Sequence, residues 1–264
     1  MGRALRSVDT QLRRLGTITT PFLIRFEHGR TATGVRVDEP ADVPAGLAAL
    51  GLHGSRPVIV LVGGAGGLDD GDADRLRSLF VDGLISTAIR YGAAAVDGGT
   101  MSGVMRLLGE AHHAAAAATP LVGVAAVGTI IIPGDPAPDA GAAALEPHHT
   151  HFVLVPGDEW GAEAAWIADV AAAVASGMPS VTVLVNGGEI AYDDVERSIA
   201  AGRPVITLAG SGRTADQLAA ALRGGVADPR ARSLAASGLV RAVPMDDVAY
   251  VSRTLTALLQ NDTV

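Results

Sequence analysis

Ala94-Ala95-Val96-Asp97-Gly98-Gly99-Thr100-Met101-Ser102-Gly103-Val104-Met105 runs from an apolar stretch through a double glycine into a helix-like segment. A buried parallel strand that feeds a helix, with the helix's first N–H groups open at the turn, reads this way. The pattern recurs. Pro57 to Val62 leads into Gly63-Gly64-Ala65-Gly66-Gly67, and Val181 to Val185 into Asn186-Gly187-Gly188-Glu189. Val205 to Ala209 leads into Gly210-Ser211-Gly212-Arg213-Thr214-Ala215-Asp216. Glycine lets the backbone approach a ligand closely, and a helix N-terminus adds unpaired donors and a partial positive charge. Several such turns along one sheet edge form a crevice for a phosphate-bearing small molecule.

Working outward, strands are expected at 58–62, 93–96, 121–127, 152–155, 181–185 and 205–209. Helices are expected at 72–91, 102–117, 161–175, 191–201 and 214–223, with a last one near 246–260. The strands are continuously apolar, as they are when helices cover both faces of a sheet. Trp166, Val170 and Val174 recur at four-residue spacing, as do Leu218 and Leu222, giving those helices an apolar face. The fold class is therefore α/β, a Rossmann-like doubly wound parallel sheet. Residues 17–37 are β-rich around His28-Gly29-Arg30 and read as a hairpin, followed by a Pro-, Gly- and Ala-rich connector over 39–56 with room for one helical turn. The chain divides on this reading into an annex with connector, 1–56, and the main domain, 57–264.

Composition narrows the chemistry. The 264 residues carry a formal net charge of −8, which argues against non-specific binding to nucleic acid or anionic lipid. Aromatic residues are 3%, too few for a rich stacking platform on single strands. All 20 basic residues are arginines, so a P-loop lysine and a Schiff-base lysine are excluded. Cysteine is absent, which removes thiolate catalysis, disulfides and cysteine-based zinc sites. The N-terminal stretch has no apolar core of signal-peptide length. Residues 111–134 lack charged side chains but contain His112, His113, Pro120, Gly123 and Gly128, so they read as buried core and not as a membrane span. A cytoplasmic protein without membrane insertion is expected.

With these motifs in hand, the chain resembles the SLOG superfamily, in the variant found at the cytoplasmic N-terminus of TRPM-type cation channels and in their prokaryotic relatives. Residues 94–105 resemble its GG(T/S)-xx-GVM segment, and 120–129 look like its next strand. Leu145-Glu146-Pro147-His148-His149-Thr150-His151-Phe152-Val153-Leu154-Val155 is similar to its P-N-H-(T/S)-H-F-x-L-V stretch. Residues 204–216 are similar to its G-S-G-R-x-A-D end. The matches stand in family order over about 57–223, with His148 where the channel pattern has Asn and Pro156-Gly157 in place of an acidic turn. The resemblance implies sensing of a nucleotide-derived ligand, ADP-ribose-like or a nucleotide sugar, and self-association as a homo-oligomer. A related branch, the Lonely Guy enzymes, cleaves nucleoside 5′-monophosphates at the N-glycosidic bond and supplies the alternative reading.

The candidate ligand residues are Gly63, Gly64, Gly66, Gly98, Gly99, Thr100, Gly103, Asn186, Gly187, Gly188, Glu189, Gly210, Ser211, Gly212 and Arg213. Gly99 and Thr100 would offer N–H groups and a hydroxyl to a phosphate. Ser211 would cap the helix that follows, and Arg213 offers a bidentate fork, against a bland role as partner of Asp216. Glu189 is either a ribose acceptor or acid/base, or a first-turn carboxylate serving the helix dipole. The Gly-Thr that follows the Lonely Guy loop is replaced by Ile190-Ala191-Tyr192, which weighs against a hydrolase. The pattern Gly64-x-Gly66 puts Asp69 at the third position of a dinucleotide fingerprint, which leaves that motif incomplete. Histidines 112, 113, 148, 149 and 151 are expected to serve packing, with no metal and no cofactor. The acidic run at 69–74 lacks the glutamate that closes a calcium loop.

Overall fold

The computed structural model describes residues 19–64, 70–138 and 140–260. Among these residues nine strands form one sheet in the order β1-β2-β8-β5-β4-β3-β9-β10-β11. In chain order these are β1 (Phe22–Arg25), β2 (Thr31–Arg36), β3 (Val58–Gly63), β4 (Ala94–Asp97), β5 (Leu121–Ala126), β8 (His151–Val155), β9 (Ser180–Val185), β10 (Val205–Ala209) and β11 (Val240–Pro244). Between β5 and β8, β6 (Ile130–Ile131) and β7 (Ala143–Ala144) make a separate parallel pair. Only β1 runs antiparallel within the large sheet, paired with β2; all its other neighbours are parallel. The expected doubly wound parallel sheet and N-terminal hairpin are both present. The hairpin joins the large sheet, since β2 pairs with β8.

Helices α1 (Val43–Ala49), α5 (Ala164–Ala175), α6 (Glu189–Ala200), α7 (Arg213–Leu222) and α8 (Pro229–Ala235) share one apolar cluster with one face of the sheet. The other face packs α2 (Asp70–Ser78), α3 (Ser86–Tyr91), α4 (Gly103–Ala114) and α9 (Val248–Leu259). The sheet's buried strands therefore read as apolar runs without alternation. The helix expected at 72–91 differs in one respect. Its middle, Leu79–Ile85, is wound as a π-helix between α2 and α3, and the Thr87 hydroxyl donates to Gly83 O at 2.6 Å in that stretch. Strand β11 and helix α8 were not anticipated. In β11, Arg241 and Ala242 are half-buried between Val240 and Val243, so the strand lacks the continuous apolar signal of its neighbours. Residues 111–134 divide between the end of α4, strand β5 and the turn after it. Among the described residues no helix is long and apolar enough to cross a membrane.

Candidate functional site

Strands β4, β5 and β8 follow β3 on one side of it, while β9, β10 and β11 lie on the other. The chain thus reverses its winding between β3 and β9, and a crevice opens outside their carboxyl ends. The two ends approach closely: a Cβ on Gly63 would lie 2.2 Å from Val185 O. A cavity of about 490 Å³ occupies this edge, within the range of small-molecule sites. Gly63, Gly64, Gly98, Thr100, Gly188, Glu189 and Arg213 line it, from the turns after four strands. Gly66 lies outside the described residues.

A second cavity, of about 480 Å³, lies against Tyr192, Gln217 and Asp228, and shares Gly188, Glu189 and Arg213 with the first. Arg213 is the one cationic side chain among the described residues lining either cavity. It opens α7 with a left-handed backbone, φ 46°, and its Nη2 would stand 2.8 Å from a Cβ on Gly188. Bare backbone at Gly188 is what allows the guanidinium to cross there. Glu189 is the first residue of α6, its side chain is 89% exposed, and Arg230 Nη1 lies 3.6 Å from its Oε2.

The turns after β9 and β10 are bonded into one unit. Asn186 N–H donates to Ser211 Oγ at 2.8 Å, the Ser211 hydroxyl donates to Leu208 O, and Thr214 Oγ1 donates to Gly188 O at 2.9 Å. Ser211 therefore ties two turns together, and Gly212 is the residue that caps α7, with φ 96°. Asn186 is buried, and Gly187 holds φ 93° above the Ala191 methyl. Asp216 accepts the Gly210 N–H at 2.6 Å. Asn186, Gly187, Gly210, Ser211 and Gly212 shape the turn from behind, whereas Gly188 and Arg213 face the cavity.

The turn after β4 is built differently. Gly99 has φ 64° and sits where a Cβ would meet Gly123 Cα at 2.7 Å and Phe152 at 2.9 Å. Its N–H donates to Asp97 Oδ1 at 2.7 Å, so this donor is engaged within the turn. Gly103 begins α4, four residues after Gly99. Thr100 is 2% exposed and lines the cavity, and its Oγ1 has no hydrogen-bond partner among the described residues.

Behind this turn lies a buried ion network. The His149 ring is held between Asp97 Oδ1 and Glu146 Oε2, each at 2.8 Å. Glu146 also accepts from the His148 N–H and ring, and it packs so tightly on α4 that a Cβ on Gly109 would lie 2.1 Å from its Oε2. His113 stacks on His148 with centroids 4.7 Å apart, and the His112 ring bonds Thr119 O. Burial alone would lower the pKa of His149, but the charges and bonds of Asp97 and Glu146 push it up to about 9. Burial would raise Glu146, and its bonds to His149 and His148 outweigh that and hold it below the usual carboxylate value. Of the histidines expected to serve packing, His149 and His148 bond the buried carboxylates, whereas His112 bonds a backbone carbonyl and His113 stacks on His148. No group of three or more His, Asp or Glu among the described residues is arranged to hold a metal ion.

The opposite wall comes from the other helical layer. Glu163, just before α5, and Asp194, one turn into α6, line the cavity beside Trp160, Ile167 and Ile190. Burial raises the Asp194 pKa, with the Glu163 and Asp193 charges adding to it and Arg197 opposing, to about 7. Burial likewise raises Glu163, although its Oε2 accepts the Gly161 N–H at 3.0 Å.

A family model described as SLOG in TRPM, prokaryote, matches residues 56–252. The chain belongs to this family. Transient receptor potential cation channel subfamily M member 2 of Rattus norvegicus is 29% identical over 180 residues, covering 55% of this chain and 12% of the channel. The Mus musculus protein of the same name is 30% identical over the same length and shares. The SLOG chain thus spans 12% of the length of these curated relatives. Within the SLOG fold, the Glu146 to Phe152 motif forms the ion network behind the β4 turn, and the Gly210 to Asp216 motif brings Arg213 to the cavity. Trp160, Glu163 and Asp194 were not foreseen as site residues. Asp194 stands at i+4 from Ile190 and i+3 from Ala191 on one helix face, a spacing that acquires meaning only once α6 is placed over the cavity.

Proposed function

We propose that this SLOG domain is a ligand-sensing module that binds a nucleotide-derived small molecule, ADP-ribose-like or a nucleotide sugar, across the β3–β9 switch point. The observation that carries the reading is the pair of cavities meeting at Gly188, Glu189 and Arg213. Two lobes joined at a bare glycine, a helix N-terminus and one arginine suit a two-part ligand whose phosphates lie at the junction. The α6 and α7 N-termini both open there, at Glu189 and Arg213, and add partial positive charge.

Titrating purified protein calorimetrically with ADP-ribose, NAD and AMP tests this. Saturable binding that Arg213→Ala weakens supports the proposal, and absence of binding by all three sinks it. Chromatography of the same mixtures tests the Lonely Guy-like alternative. Base release that Glu189→Gln abolishes would replace sensing with hydrolysis.

A further inference from the structure

The first cavity is chemically asymmetric. Toward the second lobe it carries Arg213 and the α6 N-terminus; against the α5–α6 layer it carries Glu163 and Asp194. Thr100 lines the same space from the turn that opens the other helical layer, and its hydroxyl is buried and bonded to nothing among the described residues. Buried hydroxyls find partners, so an orphan that lines a cavity marks the place of a ligand group.

We propose that Thr100, Glu163 and Asp194 form a subsite for the uncharged, hydroxyl-bearing sugar of the ligand, which lies inward with its phosphate at Arg213. This rests on the phosphate reading above and deepens it. A phosphate fits the inner place poorly, because Glu163 and Asp194 would face it there, while Arg213, the cation among the described lining residues, belongs to the side shared with the second cavity. An ammonium group fits poorly as well, since it only donates, and the Thr100 hydroxyl proton would still lack an acceptor. A sugar hydroxyl donates to carboxylate oxygen and accepts from Thr100 at once. The raised Asp194 pKa agrees: burial first, then Glu163 just before α5 and Asp193 on its own helix, disfavour its charge against the opposing Arg197, so near pH 7 its carboxyl is partly protonated and can donate to or accept from a hydroxyl.

The probes are ribose 5-phosphate, 2-deoxyribose 5-phosphate and inorganic phosphate, with ADP-ribose as reference, titrated calorimetrically into wild type, Thr100→Val, Asp194→Asn and Arg213→Ala. Wild type should prefer ribose 5-phosphate over the deoxy analogue by roughly ten-fold, the worth of one or two hydrogen bonds. Thr100→Val and Asp194→Asn should erase most of that preference and leave affinity for inorganic phosphate unchanged. Arg213→Ala should weaken all the phosphate probes together. Equal binding of the two sugar phosphates by wild type, or preference retained in both Thr100→Val and Asp194→Asn, overturns the sugar subsite. If ADP-ribose still binds and loses affinity in Arg213→Ala, the phosphate reading survives that failure. Silence of every probe, ADP-ribose included, removes both.

Discussion

Replacing His149 by glutamine tests the ion network behind the β4 turn. The ring is fully buried between two carboxylates, and its pKa stands near 9, where an unfolded chain's histidine titrates at 6.5. At about 1.4 kcal/mol per unit, holding that proton stabilises the fold by about 3 kcal/mol. Because the folded-state value is the higher one, this contribution is complete below about pH 6.5 and is lost as pH rises through about 9. Glutamine fills similar space but carries no charge, so Asp97 and Glu146 are left buried together without their cation. Breaking a buried pair from one side costs about 3–5 kcal/mol, and the deficit should be largest near neutral pH and shrink toward pH 10. Urea unfolding at about pH 7, 8 and 9.5 reads the effect directly. The wild-type free energy should fall across that series while His149→Gln stays nearly flat. A wild-type curve indifferent to pH in this window, or a variant with an unchanged slope, refutes the buried imidazolium.

Asp194→Asn should act with the opposite sign. An acid whose folded pKa is raised to about 7 costs stability that is absent below about pH 4, grows as pH rises to 7 and is complete above it. The variant should therefore be more stable than wild type at pH 8, by at most about 4 kcal/mol of unfolding free energy read by urea titration, with little difference at pH 4; a less stable variant at pH 8 contradicts it. Arg213→Ala should weaken nucleotide binding by about 1.5–3 kcal/mol, ten- to hundred-fold, and Arg213→Lys should recover only part because a point charge lacks the guanidinium fork. Since Arg213 is exposed, its melting temperature should hardly move, and a stability loss with unchanged affinity would make it an architectural residue. Gly63→Ala forces a methyl to 2.2 Å from Val185 O and should destabilise by at least about 2 kcal/mol while widening the switch point, with wild-type melting as the refuting result. Assembly is proposed as a homo-oligomer through alanine-rich helices, and light scattering that finds only monomer at micromolar concentration ends that idea.

Local order was legible in the sequence. Val58 to Val62, Ala94 to Val96 and Val181 to Val185 are apolar at every position, because a strand covered on both faces has no side to leave polar. The glycines that follow announce their turns, because positive φ at Gly99 or Gly187 and close approach at Gly63 and Gly188 are backbone demands met by residue type alone. From these, an α/β parallel sheet with ligand-facing turns can be read, and so can the place of Arg213. What the chain could not disclose locally are the meetings across distance. Asp97 and His149 are 52 residues apart and become partners only when β4, β5 and β8 lie side by side. Glu163 stands just before α5 and Asp194 on α6, and each looks like an ordinary surface acid until α5 and α6 cover the cavity together. The Gly99 N–H, open to a phosphate on the sequence reading, is taken by Asp97, while the neighbouring Thr100 hydroxyl is buried with no partner among the described residues. Periodicity and turn chemistry act over a few residues and are written in the chain; burial, pKa and unsatisfied bonds depend on what packs opposite, which tertiary structure alone decides.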